Sequence, residues 1–171
     1  CYTVHSNNRL ISKNRSSERN LAMYRYNTYT DLTFPSGLHS HCEIIAVSQG
    51  EMTVMANAEP VTLKEGEGVF LPGYVIHSFF TPEHSRCHVW EYDPSFIREK
   101  LSANIQTFCF SAEALALFDK RRNDTDLYAK KSEIYYLASC ICSDTAEDYT
   151  LKSDDIIGKT CYYIAEHFQE E

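Results

Sequence analysis

The sequence lacks features that define whole classes of protein. None of its apolar runs approaches the about 20 residues that a membrane-spanning helix needs, so we expect no membrane partner. Basic residues are not in excess: 16 Lys and Arg stand against 24 Asp and Glu, for a formal net charge of −8, which argues against holding nucleic acid by its phosphates. The seven cysteines form no CxxC pair, and no apolar signal segment opens the chain. We therefore predict reduced thiols and a cytoplasmic location.

What remains is an ordinary globular composition. Hydrophobic residues make up 43% of the 171 residues and charged residues 23%, which predicts one folded domain, alone or with a short appendage. A chain of this length removes about 70% of its extended-state surface from water on folding, enough for one core. The chain begins at Cys1 and ends at Glu171 inside a predicted helix, so we expect it to be part of a longer protein.

Glycine is scarce and unevenly placed, and its distribution divides the chain. Five of the six glycines lie at or before Gly73, where turn residues recur about every 8–12 positions between short stretches rich in Val, Ile, Phe, Tyr and Thr. Short strands at that spacing predict an antiparallel sandwich or barrel. After Pro94 the turns give way to helical patterns over Ser111–Arg122 and Asp124–Cys142, with another helix beginning at Ser153.

The second of these predicted helices carries a narrow apolar seam. Its four positions are spaced as in a coiled coil, and packing on the chain's own barrel or on a second subunit would both suit them. A narrow seam fits a partner helix better than a broad core does, so we predict a homodimer through it. The seam residues are Leu127, Ile134, Leu137 and Ile141.

The densest chemistry lies in the segment His39-Ser40-His41-Cys42-Glu43. Strand alternation would put both imidazoles and the carboxylate on one face, and His77 would supply a third imidazole. We predict that these four side chains converge in one hollow and bind a small molecule. The other predicted ligand-binding residues are aromatic. Phe79 lies two residues after His77 and therefore shares its face. On the next strand either Trp90 and Tyr92 or Val89 and Glu91 face inward, and we predict that Trp90 and Tyr92 do.

Three interpretations of the histidines remain open. His39, His41, Glu43 and His77 suit one divalent ion such as Zn, Ni, Mn or Fe, with positions left for water or ligand. They also suit a polar lining that hydrogen-bonds an effector without metal. Finally, they suit a purely structural role.

Two motifs in this region resemble those of cupins. His39-x-His41 with Glu43, six residues and Gly50 is similar to the first cupin motif, although one residue rather than three or four separates the second histidine from the glutamate. Gly66, five residues, Pro72 and then His77 is similar to the second. There Tyr74 and Thr81 occupy the positions where that motif usually has glycine and asparagine.

The order of the motifs resembles, more narrowly, the sensor half of arabinose-regulator (AraC-type) transcription factors. That resemblance, over about residues 34–171, implies a mainly β fold: a cupin-like double-stranded β-helix barrel followed by three or four C-terminal helices. We expect a polar N-terminal arm over 1–20, the barrel over 21–93 and a helical dimerisation region over 94–150. Residues 151–171 would lead to a DNA-binding half that this chain lacks.

The function implied is effector binding and dimerisation in a transcriptional regulator, without catalysis. DNA would be touched only through the absent half. The alternative is a stand-alone metal-dependent cupin enzyme, such as a dioxygenase or isomerase, and a weaker one is a carbohydrate-binding module. The long helical region, and the lack of a second acid or base beside Glu43, favour the regulator.

Overall fold

The computed structural model of the protein describes residues 23–81, 84–99, 101–120, 126–142 and 147–149, together with Thr160 and Tyr163. Within these residues the chain forms ten β-strands, two α-helices and one 3-10 turn at Pro94–Phe96. The strands are β1 (Tyr24–Thr30), β2 (Phe34–Gly37), β3 (Cys42–Gln49), β4 (Glu51–Ala56), β5 (Glu59–Lys64), β6 (Glu67–Leu71), β7 (His77–Phe80), β8 (Arg86–Tyr92), β9 (Ile105–Cys109) and β10 (Glu147–Tyr149); the helices are α1 (Ala112–Lys120) and α2 (Leu127–Ile141).

The strands form two antiparallel sheets. One has six strands in the order β1-β8-β3-β6-β9-β10, and the other has four in the order β2-β7-β4-β5. The two sheets face each other, because apolar side chains from both meet in one buried cluster. The predicted mainly β architecture with C-terminal helices is therefore confirmed.

The number of helices differs from the prediction. The described residues contain two α-helices rather than three or four, and the helix predicted from Ser153 lies outside them. Pro94 does begin a helical turn, with Ser95 N–H donating to the Asp93 carboxylate at 2.8 Å, but that turn ends at Phe96. The chain then re-enters the sheet as β9, which pairs with β6. The segment 94–150 thus contributes two strands as well as helices.

A first apolar cluster, which we call the inner core, lies between the sheets. Alternate residues of β3 and β8, such as Ile45 and Val89, point into it. A tight β3–β4 turn supports this arrangement. Gly50 takes a positive φ of 73° there, and a Cβ at that position would lie 2.2 Å from the carbonyl oxygen of His84. The inner core consists of Ile45, Val47, Met52, Val54, Ala56, Val61, Leu63, Val69, Leu71, Val75, Phe79, Cys87, Val89 and Ile105.

A second cluster, the outer core, covers the opposite face of the six-stranded sheet. Helix α2 packs there, and its Glu133 carboxylate accepts a hydrogen bond of 2.7 Å from the Tyr24 hydroxyl. Burial and this carboxylate both raise the pKa of Tyr24, so the phenol remains a donor. The outer core consists of Tyr24, Cys42, Ile44, Ala46, Phe70, Trp90, Tyr92, Phe96, Ile97, Phe108, Ala114, Leu115, Ile134, Leu137 and Ile141.

The apolar seam of α2 faces the chain's own sheet. Ile134, Leu137 and Ile141 are fully buried in the outer core, and Leu127 is partly buried against it. The predicted placement of a dimer interface on these residues is therefore wrong. Spacing along a helix identifies an apolar stripe but not the surface that covers it, and here the six-stranded sheet does so. Separately, no helix among the described residues has both the length and the apolar content to cross a membrane.

We expect Leu137→Ala to lower the free energy of unfolding by about 2–5 kcal/mol, because it opens a cavity between α2 and the sheet. Tyr128→Ala, on the outward face of the same helix at 81% exposure, should change it by less than about 0.5 kcal/mol. Urea unfolding followed by circular dichroism compares the two. Equal effects would contradict the packing of α2 on the sheet.

Candidate functional site

A bend before β3 carries His39 and His41. It is tied to the loop before β7, because the Tyr74 N–H donates to the His39 carbonyl at 2.7 Å. Tyr74 has a φ of 66°, so it adopts the left-handed conformation that glycine usually supplies. The neighbouring Gly73 lies so close to Ser40 that a Cβ would be 2.3 Å from the Ser40 carbonyl oxygen. The second motif thus holds the first in place.

Glu43 is the centre of the site. It is the second residue of β3 and only 7% exposed, and an imidazole approaches each oxygen of its carboxylate. His39 Nε2 lies 3.1 Å from Oε1, and His77 Nε2 lies 3.4 Å from Oε2. The two rings meet edge to face with centroids 5.0 Å apart. We call His39, Glu43 and His77 the Glu43 cluster.

The outer nitrogens of both rings are fixed by the backbone. His39 Nδ1 lies 3.2 Å from the His41 carbonyl oxygen, and His77 Nδ1 lies 2.9 Å from the Val75 carbonyl oxygen. A carbonyl can only accept, so each Nδ1 carries the proton. In a neutral ring the Nε2 lone pair then points at the Glu43 carboxylate. Each such contact needs a proton or a cation between nitrogen and oxygen.

The donor set of the Glu43 cluster fits a divalent cation. Its ligand atoms all lie within 4.8 Å of one another. Glu43 Oε2 is buried without a hydrogen-bond partner in the described part of the chain, a costly arrangement that a bound cation would relieve. Backbone carbonyls that fix the histidine tautomer are the usual outer partners of metal-binding histidines. Two imidazoles and a carboxylate suit Zn, Fe, Mn or Ni and leave coordination positions open.

His41 does not join this cluster. Its Nδ1 lies 3.5 Å from Glu91 Oε1, and Arg25 approaches the other carboxylate oxygen at 3.4 Å. The predicted convergence of four side chains is therefore correct for three. His39 and His41 precede β3 rather than belong to it, so strand alternation does not apply to them. Glu91 also lies within 4.8 Å of ligand atoms of both histidines.

The aromatic residues predicted for ligand binding separate. Phe79 lies beside His77, with ring centroids 5.4 Å apart. Trp90 and Tyr92 point the other way, into the outer core, so their assignment to the site is wrong. The alternative parity of β8 holds instead, with Val89 in the inner core and Glu91 directly opposite Glu43. That parity was the signal in the sequence for Glu91, whereas nothing in the sequence distinguished Arg25.

We expect the stability of the metal-free protein to depend on His39 most strongly at acidic pH. The hydrogen bond to the Glu43 carboxylate raises the pKa of His39, although partial burial opposes this. A histidine whose pKa is higher in the folded than in the unfolded state stabilises the fold when it is protonated. This stabilisation is complete below the unfolded-state pKa of about 6.5 and is lost as the pH rises through the folded-state pKa. His39→Gln should therefore lower the free energy of unfolding more at about pH 5.5 than at about pH 8.5.

Urea titrations in EDTA measure this difference. In a Glu43→Gln background, the pH-dependent part of the His39→Gln effect should shrink, because the main partner charge is gone and only the weaker influence of Glu91 remains. An effect of equal size at both pH values would contradict a charged His39–Glu43 pair.

Comparison with known proteins shows a family match over part of the chain. The family model described as "Cupin domain" matches residues 30–92, which run from the last residue of β1 to the end of β8. No curated protein matches the sequence.

Among solved structures, EutQ from Clostridium difficile is similar at 20% identity and a TM-score of 0.37, over 42% of this chain and 58% of that one. A cupin-2 domain containing protein from Shewanella frigidimarina has 19% identity and a TM-score of 0.38, over 53% and 84%. A salicylate 1,2-dioxygenase from Pseudoaminobacter salicylatoxidans, in complex with gentisate, has 16% identity and a TM-score of 0.40, over 43% and 21%. On the family match, residues 30–92 form a cupin domain.

Proposed function

We propose that this chain is the effector-binding and dimerisation part of an AraC-type transcriptional regulator. In this proposal, the Glu43 cluster binds one divalent metal ion that takes part in effector binding. The order of the sequence motifs and the cupin domain support the proposal. The observation that carries the metal site is a pair of contacts: two imidazole nitrogens, oriented by backbone carbonyls, approach one buried carboxylate at 3.1 and 3.4 Å. Bound there, the metal would supply a Lewis-acidic centre for an effector oxygen.

A regulator also needs a path from effector to partner, and β8 supports one. Glu91 points to the site, while its neighbours Trp90 and Tyr92 pack in the outer core that α2 covers. An effector that binds one arrangement of β8 better than another shifts the equilibrium between them. A coupling free energy of about 1–3 kcal/mol is typical of such sensors.

We also propose a homodimer, with its interface on a different face of α2 from the apolar seam. The seam is internal, so we place the interface on the outward side of the helix, where aromatic side chains are exposed. Tyr128 is 81% exposed, and Tyr135 and Tyr136 are also exposed. Tyrosine is enriched at protein interfaces because it buries a large ring while its hydroxyl keeps a hydrogen bond.

Two further parts of the proposal concern the surroundings of the protein. We propose a cytoplasmic location, which the free thiols of four described cysteines support: Cys42, Cys87, Cys109 and Cys142. We also propose that DNA is contacted only through a DNA-binding half outside this sequence. The net charge of −8 supports that part.

A metal-dependent cupin enzyme is the second candidate, and Glu91 favours it. The sequence offered no second acid or base beside Glu43, yet Glu91 lies directly opposite it and 3.5 Å from His41. A carboxylate next to an open metal position is a common general base. Oxygen consumption or sugar isomerisation by the metal-loaded protein would favour the enzyme, and a dimer without turnover favours the regulator.

We expect EDTA-treated protein to bind one equivalent of Zn²⁺ through the Glu43 cluster. Glu43→Gln and His77→Ala each remove a ligand, so the zinc dissociation constant should rise by more than the about 10–100-fold typical of losing an outer partner. His41→Ala should have a smaller effect. Isothermal titration calorimetry gives these constants, and His84→Ala, at an exposed position, is the control. Zinc binding that survives Glu43→Gln unchanged would rule out the cluster as the metal site.

We expect the chain to sediment as a dimer. Tyr128→Glu combined with Ser132→Glu puts charge on the outward face of α2 and should yield monomers with an unchanged circular dichroism spectrum. The control is Phe80→Glu, at another exposed aromatic position but on the four-stranded sheet. A dimer that persists in the double variant would exclude this face as the interface.

A further inference from the structure

Beside His77, the inner face of the four-stranded sheet is lined by small residues. The cross-strand partners of His77 are Gly37 on β2 and Ala56 on β4. Directly opposed residues in antiparallel strands share a face, so both lie beside the imidazole. A Cβ at Gly37 would meet no heavy atom of the described residues within 4 Å, and the backbone φ of Gly37 is not positive. Open space therefore adjoins the Glu43 cluster on the β2 side.

The next row of the same sheet is apolar. Phe79 is flanked by Phe34 on β2 and Val54 on β4. Phe79 is buried, whereas Phe34, at the edge of the sheet, is 56% exposed. The β2–β7 register shifts between Phe34 and Gly37, and Phe34 is still paired directly with Phe79. One buried and one exposed phenyl ring therefore offer apolar surface in the row next to the site.

Charge limits what such an opening accepts. A divalent cation, the Glu43 carboxylate and two neutral imidazoles carry a net charge of +1, which an anionic ligand would neutralise. The second carboxylate, that of Glu91, is already engaged by His41 and Arg25. Carboxylate oxygens are good ligands for the metals that a two-imidazole, one-carboxylate site selects.

We propose that the natural ligand class is a monocarboxylate with an apolar body. Its carboxylate completes the coordination of the metal in the Glu43 cluster, and its body lies in the space beside Gly37, against Phe34 and Phe79. This inference rests on the proposed metal site and deepens it by naming the ligand. Beside Phe34 and Phe79, most hydroxyls of a sugar would find no hydrogen-bonding partner. An alkyl or aryl chain in the same place would instead remove apolar surface from water.

The test compares probes that differ in one part. Acetate supplies the carboxylate without the body, hexan-1-ol the body without the carboxylate, and hexanoate both. NMR titration of the zinc-loaded protein gives the dissociation constants. Each buried methylene favours binding by about fourfold, so hexanoate should bind at least about tenfold more tightly than acetate. Hexan-1-ol and arabinose should bind more weakly than hexanoate.

Gly37→Leu fills the proposed space without replacing a metal ligand. It should remove the advantage of hexanoate over acetate while zinc binding stays unchanged. Phe79→Ala should reduce the same advantage, because it removes the surface on which the body lies. Phe80→Ala is the matched control, since Phe80 is the next residue of β7, is 54% exposed and belongs to the opposite face.

The outcomes separate the two proposals. If zinc does not bind the Glu43 cluster, the metal site falls, and the carboxylate proposal falls with it. If zinc binds but hexanoate binds no more tightly than acetate, only the carboxylate proposal is overturned. The same holds if arabinose binds more tightly than hexanoate, or if Gly37→Leu leaves the preference for hexanoate intact.

Discussion

The site depends on the position of the Glu43 carboxylate between two histidines whose ring orientations are fixed by hydrogen bonds. Backbone carbonyls hold the Nδ1 protons of His39 and His77, so both lone pairs point at a buried carboxylate. Without a proton or cation between them, these contacts are repulsive, and Glu43 Oε2 has no hydrogen bond among the described residues. The fold thus maintains an arrangement that only a positive charge, from a proton or a metal ion, stabilises. Each function proposed above depends on that positive charge.

The surrounding strands make this arrangement persist. Glu43 belongs to β3, which lies between β8 and β6 in the middle of its sheet, so its backbone is paired on both sides. His77 comes from the facing sheet, and His39 is fixed by its carbonyl contact with the Tyr74 N–H. The cluster therefore joins both sheets and two motifs. A change of spacing in either motif would separate the charges that the site brings together.

The sequence predicted the parts of this structure that depend on local rules. Turn residues located the strands up to β8, and strand parity correctly placed Glu43, His77 and Phe79 on the inner face. It could not place His41, because that residue lies in a bend outside the strand, where parity has no meaning. The strand β9 was missed because Ile105–Cys109 lies between helical patterns and pairs with the distant β6.

Two errors share one physical cause, which is that the six-stranded sheet is buried on both faces. In a strand buried on one side, hydrophobic alternation identifies the inner face. In β8 each parity includes buried apolar or aromatic residues, so alternation did not decide between Trp90 and Glu91. The seam of α2 was equally ambiguous, because Ile134 and Leu137 suit either a sheet or a second helix. Only the tertiary contacts show that the sheet covers them.

The outer core has a consequence for where this protein can be cut. A fragment ending at residue 93, where the turn-rich sequence stops, would keep the residues of the Glu43 cluster but lose α2 and β9. Ile44, Phe70 and Trp90 would then face water, and β6 would become an open sheet edge. Such a surface is prone to self-association. The shortest fragment that we expect to avoid self-association and to keep the Glu43 cluster intact extends at least to Ile141.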